Sequence, residues 1–184
     1  MKDLSMHIMD IFQNSINAEA SIISLDIVED TQKNSFTIEF TDNGKGMTKE
    51  MAKQVTDPFF TTRTTRNVGL GIPLLKQNCE RTGGSFSVVS TEGKGTTVTA
   101  QFVLDHLDRP VSGDIPGAVV LTATANPGIR FVYTHVKDHQ EYCFSTEEVQ
   151  AALGVVPMSD PVVYSFLVEM INENLKDIGV SLTS

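Results

Sequence analysis

The chain has 184 residues, 40% of them hydrophobic and 20% charged, with a net charge of −9, which is the profile of a soluble globular protein long enough to bury a core. The acidic balance speaks against duplex nucleic acid as a partner. No apolar run reaches the length of a bilayer span, and the start MKDLSMHIMD lacks a signal-peptide pattern, so the expectation is a cytoplasmic protein without a membrane segment.

From Asp3 to about Ala20 the apolar residues Leu4, Ile8, Ile11, Phe12 and Ile16 keep helical spacing and predict an amphipathic helix. Alternation in Ile22 to Val28 and again in Phe36 to Phe40 predicts two strands around the polar turn Asp30 to Ser35. Thr48 is a good N-cap for a short helix running to about Val55. The Thr- and Arg-rich stretch Thr56 to Val68 has no period and reads as a loop. Helical spacing returns through Leu70, Ile72, Leu75 and Cys79 until Gly83-Gly84 ends it. Two strands follow, Ser85 to Ser90 and Thr96 to Leu104, joined by the Glu92 to Gly95 turn.

Residues His106 to Gly117, with Pro110, Gly113 and Pro116, read as a linker. Beyond it the expectation is strands near Ala118–Thr124, Ile129–His135 and Tyr142–Phe144, then helices at Thr146–Leu153 and Asp160–Lys176. The domain reading is therefore 1–104, a linker at 105–117, and a small C-terminal α/β domain at 118–184. Charge divides along the same line. Residues 1–104 carry ten Lys and Arg against twelve Asp and Glu, and residues 105–184 carry four against eleven. The acidic second part suits a basic partner. Helix first, then hairpin strands with a helix crossing between them, predicts an α+β fold: a two-layer sandwich with helices on one face of a mixed or antiparallel sheet. Cys79 and Cys143 have no metal-ligand spacing and are expected as reduced thiols.

Several short segments carry chemistry. In the first helix His7, Asp10, Asn14 and Asn17 recur at steps of three and four, forming a polar stripe of short side chains with no propensity reason to be mid-helix. Asp42-Asn43-Gly44-Lys45-Gly46-Met47 closes an apolar strand with a carboxylate and two glycines, which lets backbone approach a ligand closely. The same composition suits an ordinary turn. Asp57-Pro58-Phe59-Phe60-Thr61-Thr62-Arg63, Gly69-Leu70-Gly71 and Gly95-Thr96-Thr97 complete the series.

In that order and spacing the segments resemble the GHKL superfamily, the ATP-binding fold of gyrase, Hsp90, histidine kinases and MutL, over about residues 3–104. The resemblance implies ATP and Mg²⁺ as ligands. It implies that Asn14 bridges the metal to the triphosphate, Mg²⁺ being a hard cation that takes oxygen ligands. Asp10 stands where ATP-hydrolysing members and protein-serine-kinase members place a Glu general base, and its carboxylate is one methylene shorter. Asp42 matches the carboxylate that accepts the adenine amino group, often with a water held by a Thr, here Thr96. Gly44, Gly46 and Met47 would pass under the base, with Asn17 following on the helix. Phe59, Phe60, Thr61, Thr62, Arg63 and Arg66 would belong to an ATP lid, and Gly69, Leu70 and Gly71 would open a helix toward the phosphates. The glycine commonly found two places before Gly69 is here Asn67. With the matching segment beginning almost at Met1, the reading is a stand-alone ATPase or protein kinase acting on a partner in trans. The second reading is a nucleotide-sensing interaction module without turnover.

Overall fold

Asp3 opens the first helix, its carboxylate accepting the Met6 N–H at 3.0 Å and so satisfying one of the free donors of a helix start. The computed structural model describes residues 3–57 and 71–181. In chain order its elements are α1 (Leu4–Asn17), β1 (Ile22–Asp30), β2 (Ser35–Asp42), α2 (Lys49–Gln54), α3 (Gly71–Arg81), β3 (Ser85–Thr91) and β4 (Gly95–Val103). They continue with α4 (Ile115–Ala125), β5 (Arg130–Lys137), β6 (Gln140–Ser145), α5 (Thr146–Leu153) and α6 (Pro161–Asp177). Thr48 caps α2 through Oγ1, which accepts the Met51 N–H at 3.2 Å.

Among the described residues the strands form one mixed sheet in the order β3-β4-β2-β1-β5-β6. Every strand pair is antiparallel except β1 with β5. Alternation decides the two faces. Ile23, Leu25 and Ile27 of β1, Phe36, Ile38 and Phe40 of β2, and Phe131 and Tyr133 of β5 point into one core with buried residues of α1, α3, α4 and α6. The opposite face carries Ser24, Asp26, Thr37, Glu39, Thr97 and Thr99, all half-buried. This is the expected two-layer α+β sandwich.

Two readings of the second half are corrected. Residues 118–124 are not a strand, because they lie inside α4. Asp114 caps that helix by accepting the Gly117 N–H at 2.9 Å, and Pro116 stands in its first turn. Because α4 is buried on most of its surface, its apolar run lacks the polar face that betrays a helical period. Nor do residues 118–181 build a separate core. Strand β5 pairs in parallel along the whole of β1, from Ile22 opposite Arg130 to Glu29 opposite Lys137.

The stretch expected as a linker is likewise packed. Leu4 and Ser5 donate backbone N–H groups to the carbonyls of Val111 and Ser112, and the Arg109 guanidinium lies 4.9 Å from the Phe36 ring centre. At the end of β1 far from Asp42, a buried polar chain ties the two halves. Tyr133 Oη and His135 Nδ1 are 2.7 Å apart, and His135 Nε2 is 2.9 Å from Glu29 Oε1. Burial pushes the Glu29 carboxyl up, but the hydrogen bond and charge of His135, with Lys137, hold it below its ordinary value. Cys79 is buried, and burial pushes its thiol up to about 11, whereas Cys143 is exposed.

A single core makes a testable demand. Ile171 of α6 is fully buried, so Ile171→Ala is expected to cost about 2–5 kcal/mol. Hydrogen exchange should then show protection of β2 and β4 falling together with that of α6. A loss confined to residues 118–181 would mean two independent folding units.

Candidate functional site

Asp42 ends β2 between two partners, opposite Ile23 of β1 and Thr96 of β4. Its half-buried carboxylate is held from two sides: Ser15 Oγ donates to Oδ2 at 2.7 Å, and the Gly44 N–H donates to Oδ1 at 2.9 Å. A carboxylate offers about four acceptor positions, so the two bonds orient Asp42 while leaving capacity for an outside donor. Ser15 is a contributor the sequence reading missed. It lies on the buried side of α1 with Ile8, Ile11 and Phe12, and a hydroxyl among such neighbours signals a buried hydrogen bond.

The segment after Asp42 is tied down on both sides. Asn43 Oδ1 accepts the N–H groups of Ser21 and Ile22, both at 2.9 Å, and the Lys45 N–H donates to the Ala18 carbonyl at 2.8 Å. Gly44 packs its α-carbon against Ala18. Gly46 has φ +64, and a β-carbon there would fall 2.1 Å from the Thr91 carbonyl oxygen, so the loop closes only with glycine. The Met47 N–H donates to Ser90 Oγ at 2.8 Å, and Ser90 donates to the Gly95 carbonyl at 3.0 Å. Thr96 Oγ1 lies 2.8 Å from the same Ser90 oxygen and is its donor. Ser90, also unforeseen, thus joins Met47 and Thr96 in one network beside Asp42.

The polar stripe of α1 spans about 80° of a helix of 3.6 residues per turn and so stays on one side, but what covers that side changes along it. His7 is only 1% exposed, Asp10 and Asn14 are half-buried one turn apart, and Asn17 is exposed. Asn17 accepts from Gln13 Nε2 at 3.1 Å and is not brought to Asp42 by any described contact. Gly71 begins α3 against Asp10: a β-carbon on Gly71 would sit 2.2 Å from Asp10 Oδ2. The Asp10 carboxylate therefore lies at the N-terminus of α3, where free backbone N–H groups and the helix dipole favour negative charge. Phe59, Phe60, Thr61, Thr62, Arg63, Arg66, Asn67, Gly69 and Leu70 lie outside the described residues.

The arrangement sets Asp42 with its glycine loop, and Asp10 with the start of α3, between a helix layer and the end of a sheet. Residues 2–106 match the family described as histidine kinase-, DNA gyrase B- and HSP90-like ATPase, and the chain belongs to that family. Two curated relatives are a putative sensor protein of Shewanella frigidimarina, 30% identical over 109 residues, and the sensor histidine kinase ZraS of Escherichia coli, 29% identical over 96 residues. The matches cover 58% and 52% of this chain but only 17% and 20% of those proteins, so the chain corresponds to about a fifth of their length. Among solved structures, the N-terminal domain of a DNA repair protein gives a TM-score of 0.59 at 17% identity, covering 86% of this chain and 59% of that one. The Aquifex aeolicus MutL ATPase domain, complexed with ADP, gives 0.53 at 14% identity, covering 92% and 70%. At such identities the structures establish the fold. No described helix is long and apolar enough to cross a membrane.

Proposed function

We propose that the chain binds Mg²⁺ and ATP between α1, the start of α3 and the Asp42 end of the sheet, and uses the nucleotide as a stand-alone ATPase or protein kinase on a separate partner. The observation that carries this reading is the Asp42 carboxylate, held by Ser15 and Gly44 with acceptor positions to spare at the head of a tightly packed glycine loop. Asp42 would accept from the exocyclic amino group of adenine, the one feature by which a carboxylate separates adenine from guanine at that edge. Thr96 would hold a water at the same edge.

Asn14 suits the metal by the chemistry of its donor. An amide oxygen is a hard, uncharged ligand, and Mg²⁺ commonly takes few protein ligands and completes its shell with phosphate oxygens and water. The bound ion would neutralise phosphate charge. Asp10, one turn earlier, would take a proton from water or an acceptor hydroxyl. The curated relatives named as sensor histidine kinases favour phosphotransfer as one outcome. Phosphotransfer to a histidine would need no base, because the imidazole is already nucleophilic. The alternative, a nucleotide-sensing module without turnover, is favoured by one feature, since the carboxylate at the base position is an Asp and reaches one methylene less far than a Glu.

One experiment separates these outcomes: γ-labelled ATP, scored for free phosphate, protein-bound phosphate and simple retention. Release or transfer supports the enzyme, and retention alone supports the sensor. No retention overturns the pocket. The metal assignment has its own check. Asn14→Ala should weaken ATP roughly tenfold or more while leaving adenosine nearly unchanged, because only the triphosphate depends on the ion. Equal losses for both ligands would make Asn14 a structural residue. The acidic region beyond residue 104 is assigned to partner contact, and the cytoplasm is the proposed compartment.

A further inference from the structure

His7 stands out once the site is built, because the proposed chemistry does not use it. It is 1% exposed, and it faces α3. Asn78 Nδ2 of α3 donates to His7 Nε2 at 3.0 Å, which leaves the ring neutral with its proton on Nδ1. That Nδ1 is buried and has no hydrogen-bond partner. Burial pushes the His7 pKa below its ordinary value, although the Gly71 backbone beside it favours the charged form.

The geometry links two places. On α1, His7 lies one turn before Asp10; on α3, Asn78 lies seven residues, about two turns, beyond Gly71. The two helices, running in opposite senses, thus meet along one seam: His7 bonds Asn78 and lies beside the Gly71 backbone, and Asp10 packs against Gly71. Two apolar side chains at the first contact would pack well and slide freely. A directional hydrogen bond instead selects one relative position, which is the best attested use of polar pairs in cores.

We infer that His7 and Asn78 are positioning residues: their hydrogen bond latches α3 to α1 and holds the first turn of α3 at the distance from Asp10 and Asn14 that the triphosphate requires. The inference rests on the nucleotide reading above. It predicts that the phosphate end of the ligand feels the latch and the adenine end does not. The adenine end is built from Asp42, Ser15 and Gly44, none of them on α3.

The test compares four variants, His7→Leu, Asn78→Leu, the His7→Leu/Asn78→Leu double and His7→Gln, by calorimetry with Mg²⁺ and ATP and with adenosine, alongside thermal unfolding without ligand. The single Leu variants should lose about tenfold in ATP affinity, a usual size for coupling between packed elements, and stay within about twofold for adenosine. The double Leu variant, with an apolar pair in place of the polar one, should recover stability without recovering ATP affinity. His7→Gln, which restores an amide acceptor for Asn78, should recover both. Parallel losses for ATP and adenosine, or wild-type ATP affinity in the folded double variant, would overturn the latch alone. A wild-type chain that retains no ATP overturns the nucleotide reading and the latch with it.

Discussion

Replacing Asp42 by Asn is expected to lower adenine nucleotide affinity roughly tenfold to a hundredfold and to erase discrimination against GTP. The change is nearly isosteric, so the effect comes from hydrogen-bond polarity. In the native chain both carboxylate oxygens accept, one from Ser15 Oγ and one from the Gly44 N–H. Asn keeps one acceptor oxygen, and the fixed Gly44 N–H holds that oxygen on its own side. The new NH₂ group then replaces the oxygen that meets Ser15. Ser15 can adapt, because its hydroxyl rotates and accepts as readily as it donates. The adenine amino group cannot adapt, since it only donates. A buried mismatch of that kind costs about 1–3 kcal/mol. Ser15→Ala is expected to cost less, because it loosens the carboxylate without reversing its polarity. Calorimetry with ATP and GTP decides the matter. Unchanged ATP affinity in Asp42→Asn, or equal affinity for GTP in the native chain, would remove Asp42 from the adenine site.

The parts legible in the sequence are those whose cause is local. The alternation of Phe36, Ile38 and Phe40 marks a strand with one buried face, and the bends at Gly44 and Gly46 follow from glycine itself, so the loop beside Asp42 could be placed by reading. Helix α4 could not. Most of its Ala and Val are buried, its exposed positions include the apolar Leu121 and Ala125, and a run without a polar face has no period to read. The single sheet escaped for a different reason. Residues 106–117 have the Pro and Gly content of a linker, and nothing in them announces that Val111 and Ser112 will hydrogen-bond to the start of α1 or that β5 will lie along β1. Parallel pairing across about a hundred residues is a property of the assembled chain. Ser90 was missed because a lone serine in a strand has no sequence signature, and Ser15 because its place on the apolar side of α1 went unread. His7 was rightly placed on a polar stripe, but nothing in the period of α1 announces that α3 packs over that end of it and buries the ring.

The largest expected effect belongs to Asp10. If the chain hydrolyses ATP or phosphorylates a hydroxyl, a base must take the proton of water or acceptor, and Asp10 is the carboxylate that α1 sets one turn before Asn14. General-base catalysis contributes about 10²–10⁴-fold, so Asp10→Asn should lower turnover by that factor while leaving ATP affinity nearly unchanged. The contact with Gly71 makes the variant informative, because Asn has almost the same shape as Asp and fits the same close approach to the start of α3. A loss of activity then reports the missing charge and basicity, with little change in packing. The measurement is single-turnover release or transfer of labelled phosphate, with calorimetry to confirm that the variant still binds. Transfer that survives Asp10→Asn would identify a histidine acceptor, which needs no base. A native chain that binds ATP tightly yet neither releases nor transfers phosphate would make Asp10 a ligand-positioning group and the protein a sensor. The enzyme reading stands ahead because Asp10 meets the start of α3 one turn from Asn14, and a binder that never breaks the γ-phosphate bond has little use for a carboxylate facing so much negative charge.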